Sequence, residues 1–153
     1  YLFFSNTVAY LSAVKDIASR EIVAWSLSKH IDMNLVFETI KNIKSNVSIA
    51  SLKDILIHSD QGFHYTNPEY INKVGICGMK QSMSRKGNCI DNSPMETFFG
   101  HFKDEVDYKN CKTFEELRAL TAEYINYYNN ERQQWELKKM TPVNYRNHLL
   151  AVA

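Results

Sequence analysis

The stretch Ile57 to Glu96, IHSDQGFHYTNPEYINKVGICGMKQSMSRKGNCIDNSPME, decides how this chain is read. A short apolar strand, Asp54 to Ile57, delivers Asp60 into a turn marked by Gly62. At the other end, Ser93-Pro94-Met95-Glu96 has the form of a first helical turn: serine at the N-cap, proline at the first helical position, glutamate three residues after the cap. Positions 61 to 95, 35 residues, separate the two acids. A strand end and a helix start that far apart still converge when an intervening helix and strand return the chain to the same edge of a sheet.

Two readings of that pair stand side by side. Converging carboxylates hold a hard divalent cation such as Mg2+, whose usual work is phosphoryl transfer. Ser93-x-x-Glu96 is equally a capping box, in which the glutamate only reaches back to the N-cap amide. Thr113-Phe114-Glu115-Glu116 has the same pattern with nothing catalytic around it, so spacing alone does not choose.

Bulk composition narrows the classes. The 153 residues fit one domain, and 44% hydrophobic content is enough for a core, as expected of a soluble globular protein. Eighteen basic and 17 acidic side chains leave a net charge of +1, so any nucleic-acid binding must rest on local patches. Cys77, Cys89 and Cys111 are odd in number, widely spaced and without a C-x-x-C pair, which fits reduced thiols in a cytoplasmic compartment better than disulfides or zinc. No apolar run approaches the roughly 18 residues of a membrane span. The opening Tyr1-Leu2-Phe3-Phe4, with no initiating methionine, reads as a chain cut inside a strand.

Taken in order, Leu2 to Phe4 and Ala9 to Val14 are β-rich runs joined by a hairpin at Ser5-Asn6-Thr7. Glu21 to Leu27 follows as a strand covered on both faces, Ile22 and Ala24 on one and Val23, Trp25 and Leu27 on the other. Asp32 caps a helix with Met33, Val36, Phe37, Ile40 and Ile43 toward a core. The strand at 54–57 is expected parallel to one of the earlier strands. Then come a helix over Tyr65 to Val74, a strand over Met79 to Met83, and a loop from Ser84 to Asn92. The Ser93 helix sets Met95, Phe98, Phe99, Phe102 and Val106 in one stripe, with Glu96, Gly100 and Lys103 along its flank. A last long helix from Thr113 to about Asn130 directs Phe114, Leu117, Leu120, Tyr124 and Tyr127 inward, ahead of a basic, partly helical tail. The expected fold is α/β and ribonuclease H-like, a five-stranded mixed sheet flanked by helices, with residues 1–131 as the core and 132–153 as the tail.

The stretches YLSAVKDIASREIVAWSLS, ILIHSDQGFHYTN, SMSRKGNCIDNSPMETFFGHFKDE, EYINYYNNER and TPVNYR resemble the integrase-type catalytic core of bacterial insertion-sequence transposases, relatives of retroviral integrases. The resemblance runs from Tyr1 to about Arg146. It implies an Asp-Asp-Glu triad that binds two Mg2+ or Mn2+ ions, with Asp60 as the second acid and Glu96 as the third. The family's first acid sits upstream of Tyr1, so the chain by itself is expected to be inactive. Asp16 is the nearest substitute, but it matches a turn and is expected to shape it.

The implied reaction cleaves an element's ends and joins each 3′-OH to target DNA. Lys103 is then placed to meet a phosphate and Arg85 and Lys86 to grip DNA, the alternative for all three being a solvated basic surface. Gln61, Asn88, Asp91 and Asn92 are expected to support the site through hydrogen bonds, Asn92 being equally readable as a helix-start residue, and His58 is read as a structural or supporting residue rather than a ligand. Arg132 touches either DNA or the core's own carboxylates. Implied partners are the element's terminal repeats, target DNA and further copies of the chain, with no membrane. The rivals are a ribonuclease H-like nuclease that only hydrolyses, and a non-catalytic DNA-binding or dimerisation remnant of a mobile element.

Overall fold

The computed structural model describes residues 1–46, 53–84 and 93–152. Its opening hairpin follows from a two-residue turn: Ser5 and Asn6 both have positive φ, 41° and 58°, and pair β1 (Leu2–Phe4) with β2 (Thr7–Lys15). Such left-handed pairs match the twist of the strands they join. β2 continues antiparallel into β3 (Ile22–Ser28). Between Val14 and Lys15 the register shifts, so that Val14 faces Ala24 and Lys15 faces Ile22, leaving Val23 as an extra residue on β3. This bulge corrects the simple alternation expected for the strand. Ile22 joins the core layer touched by Trp25 and Leu27, whereas Ala24 belongs to the opposite one.

On that opposite side lies α1 (Met33–Asn46), with Val36, Ile40 and Ile43 buried. β4 (Leu56–Ser59) runs parallel to β5 (Lys80–Met83), connected by α2 (Phe63–Thr66) and α3 (Pro68–Ile76). β4 starts two residues later than the apolar run suggests, because its inward positions are Ile57 and the buried hydroxyl of Ser59. The single helix expected here is two, broken at Asn67-Pro68, where the Asn67 side chain accepts the Glu69 N–H and proline takes the first helical position. Gly78, at φ +83°, supplies the left-handed residue between α3 and β5.

The hydrogen bonds group the strands as a three-stranded antiparallel sheet and a two-stranded parallel one, where a single continuous sheet was expected. β1 is three residues long and pairs with β2, and the ladder partners of β4 are those of β5.

The other side of the three-stranded sheet is covered by α4 (Ser93–Glu105) and α5 (Phe114–Asn130), followed by α6 (Pro142–Val152). Phe98 and Phe102 are fully buried, with the Tyr128 ring edge-on to Phe98 at 5.1 Å and Tyr124 edge-on to Phe102 at 5.2 Å. The inward stripe of α5 is Leu117, Thr121, Tyr124 and Tyr128. Tyr127, expected inward, is 43% exposed: either Tyr127 or Tyr128 fits the helical period, and packing against Phe98 selects Tyr128. The segment after α5 is tied to the core by buried Leu137 and by Arg146, whose Nη1 lies 2.6 Å from the Glu21 carboxylate.

Phe98 sits where both helices and the sheet meet. Phe98→Ala is expected to cost about 3–5 kcal/mol, while Tyr127→Ala stays within about 0.5 kcal/mol; urea unfolding midpoints of the two variants check this.

Candidate active site

Asp60 is the first residue beyond β4, and the end of β5 holds the turn it occupies. The Ser84 N–H donates to the Ser59 carbonyl at 2.9 Å, Gln61 Nε2 donates to the Ser84 carbonyl at 3.1 Å, and Ser59 Oγ donates to the Asp60 carbonyl at 3.0 Å. The exposed Asp60 carboxylate accepts the Gly62 N–H at 2.8 Å through Oδ1. Gly62 matters for room rather than for torsion. Its φ of −59° suits any residue, but a Cβ there would lie 2.8 Å from Asp60 Oδ1. His58 pairs across the ladder with Ser82, Nδ1 to Oγ 2.9 Å. Behind the turn, burial and then the Asp60 charge push the Tyr65 phenol above its ordinary pKa.

Glu96 projects from the first turn of α4 into solvent. It lines a groove of about 440 Å³ with Leu2, Leu11, Phe99, Gly100 and Lys103, so the flank of the helix does bring Glu96 and Lys103 together. Thr113 Oγ1 accepts the Glu116 N–H at 3.1 Å and Glu116 reaches back to the Thr113 N–H, a complete capping box. α4 begins at Ser93 itself, and no described residue donates to the Glu96 carboxylate.

Both ends of α4 are fastened. Lys15 is 8% exposed and donates from Nζ to the Pro94 carbonyl at 3.0 Å. Burial, with Arg20 and Arg132 repelling and Glu136 attracting, lowers its pKa to about 8. At the last turn, Glu105 accepts Nε and Nη2 of Arg132, at 3.1 and 2.7 Å, and the Tyr124 hydroxyl at 2.9 Å. Burial alone would raise the Glu105 pKa, but the Arg132 and Tyr124 hydrogen bonds outweigh it and hold the carboxyl below its usual range. Of the two partners open to Arg132, the structure gives it a carboxylate of the core.

Arg85, Lys86, Asn88, Asp91 and Asn92 lie outside the described residues. Asp16 shapes its turn as expected: Oδ2 accepts the N–H and hydroxyl of Ser19, and Asp16 lines a different cavity, of about 700 Å³, from the groove at Glu96. Among the described residues no group of three or more His, Cys, Asp or Glu side chains gathers, and no hydrogen bond or shared cavity joins Asp60 to Glu96. Each presents carboxylate oxygens without a cationic side-chain partner among the described residues, a donor chemistry that suits a hard divalent cation rather than zinc.

Residues 2–89 match one family model described as an integrase core domain, and residues 96–150 match a second of the same description. The chain belongs to the integrase core domain family. It is 45% identical over 142 residues to an uncharacterized transposase-like protein of Haemophilus influenzae, covering 92% of this chain and 64% of that protein. To the putative transposase InsK for insertion sequence element IS150 of Escherichia coli it is 40% identical over 139 residues, 90% of this chain and 48% of the relative. This integrase core thus spans roughly half to two thirds of the length of these curated relatives. Its fold is that of the catalytic core domain of BIV integrase, with a TM-score of 0.66 at 13% identity over 97% of this chain and 91% of that one. A chain of a simian T-cell lymphotropic virus intasome aligns with a TM-score of 0.69 at 15% identity, covering 93% of this chain and 49% of that one. The ribonuclease H-like α/β class expected from the sequence is the one observed.

Sequence reading of this integrase core overlooked Lys15, Ser59, Ser84 and Glu105. Lys15 alone left a signal: it continues the inward alternation Ala9, Leu11, Ala13, where an apolar residue belongs.

Because the folded-state pKa of Glu105 is depressed, its pairing stabilises the protein above the ordinary carboxylate range and is lost as pH falls through the folded value. Arg132→Ala is therefore expected to lower stability by about 1 kcal/mol near neutral pH. That gap should narrow as pH falls below the ordinary carboxylate range and through the folded-state value, read from urea midpoints across the acid range.

Proposed function

We propose that this chain is the catalytic core of a DNA transposase that cleaves the ends of an insertion element and joins each 3′-OH to target DNA. The observation that carries the reading is the pair of exposed acids, each on a braced support: Asp60 on a turn stitched to β5, and Glu96 on a helix fastened at both ends. The reaction is an in-line displacement at phosphorus. The attacking hydroxyl oxygen forms the new P–O bond, its proton passes to solvent, and the 3′-oxygen of the cut strand leaves.

Asp60 and Glu96 would hold Mg2+ or Mn2+. Two such ions, in the complete site, supply a deprotonated nucleophile and charge neutralisation at the leaving oxygen. The chain's own part is positional. The turn around Gly62 aims the Asp60 carboxylate, and α4 carries Glu96 and Lys103 into one groove, where the lysine meets a phosphate of the element's end. Arg85 and Lys86 add further backbone contacts, Arg132 reaches DNA only by giving up Glu105, and Asn88, Asp91 and Asn92 complete the hydrogen bonding around the acids. Residues 1–131 form the catalytic unit and 132–153 its tail. Function requires DNA and more than one copy of the protein assembled on paired ends, in the cytoplasm. No helix among the described residues is long and apolar enough to cross a membrane.

In the full-length protein, Asp60→Asn and Glu96→Gln are each expected to reduce strand joining by at least about 1,000-fold with the melting temperature unchanged. Gly62→Ala is expected to reduce it roughly 10- to 100-fold, since the new Cβ displaces the carboxylate while the backbone fits. An assay that resolves joined from merely cut DNA reads all three. Undiminished joining by Asp60→Asn contradicts the reading.

A further inference from the structure

We propose that Lys15 is a positioning residue for Glu96: its buried ammonium, held on the first-turn carbonyl of Pro94, fixes the end of α4 from which the carboxylate projects. The inference rests on the reading of Glu96 as a metal ligand and deepens it.

The starting point is that a lysine here is costly. Lys15 stands on the core face of β2, 8% exposed, two residues after Ala13. Burying an ammonium is unfavourable unless it is paired. Among the described residues Lys15 makes no ion pair; its contacts are the Pro94 carbonyl at 3.0 Å and the Tyr128 ring, whose centroid lies 5.8 Å away. Arg20 and Arg132 both repel it, and only Glu136 attracts. The charge also sits at the N-terminal end of α4, where the helix dipole disfavours a cation. Desolvation, repulsion and the dipole all act against stability, and a methionine of similar length would avoid all three.

What the lysine contributes is geometric. Pro94 is two residues before Glu96, within the same helical turn. Packing of Phe98 and Phe102 holds the middle of the helix, and Glu105 with Arg132 holds its last turn. At the first turn Met95 packs partly buried against the same core, a contact without direction, and among the described residues Lys15 is the side chain that reaches a first-turn carbonyl from the sheet. A helix end left to fray moves the carboxylate by more than a metal ligand tolerates.

The test is Lys15→Met in the full-length protein, with strand joining, Mn2+ binding in calorimetry without DNA, and thermal unfolding measured together. The expected result is a roughly 10- to 100-fold loss of joining and a several-fold weaker Mn2+ affinity, with a melting temperature equal to or above that of the parent. Wild-type joining and Mn2+ binding overturn the proposal. So does a parallel fall of joining and melting temperature, which marks a merely structural residue. Glu96→Gln is run alongside. If it is inactive while Lys15→Met is unimpaired, only the positioning role fails; if Glu96→Gln keeps full activity, the metal-ligand reading fails and takes this one with it.

Discussion

The candidate site depends on where α4 lies. Phe98 and Phe102 seat its middle against the sheet and the rings of Tyr124 and Tyr128, Lys15 secures its first turn, and Glu105 with Arg132 secures its last. The three kinds of contact differ physically. Aromatic packing supplies most of the burial energy but little angular definition, whereas directional hydrogen bonds to the two helix ends set the rotation that points Glu96 and Lys103 into the groove. Asp60 is placed on a separate principle, local stitching of a strand end to its neighbour, and it needs no long-range packing beyond β4 and β5.

This division explains how much was legible in the sequence. The starts of α1 and α4 and both ends of α5 are legible within about a residue, because their apolar stripes repeat at 3.6 and Thr113 caps α5. β4 was misplaced by two residues because its inward end is a serine, which a hydrophobicity pattern does not register. The β3 bulge was invisible for a related reason: Ile22, Val23 and Ala24 are all apolar, so nothing in their order shows that the face switches between them. Tyr127 and Tyr128 were exchanged because either fits the helical period within its tolerance, and only packing against Phe98 selects Tyr128.

At the candidate site, the residues proposed to carry the chemistry were easier to find than those that hold them. Asp60, Glu96 and Lys103 stand in a recognisable string, and the Gly62 turn follows from its glycine. The braces are different in kind: Ser84, Ser59 and Glu105 are ordinary residues whose importance arises from contacts 19 to 27 positions away. Arg132 is an intermediate case, since two partners were open to it and tertiary structure chose Glu105. Residues of this sort connect fold to function, because they convert the position of a helix into the position of a carboxylate.

In the proposed mechanism Asp60 and Glu96 serve one divalent-cation site although no direct bond joins them. Anomalous diffraction from a crystal of the full-length protein soaked in Mn2+ tests it most directly. Manganese is expected at ligand distance, about 2.1 Å, from a carboxylate oxygen of each acid. Manganese bound to neither, or a Glu96 carboxylate turned back onto the start of its own helix in the presence of the ion, would contradict it.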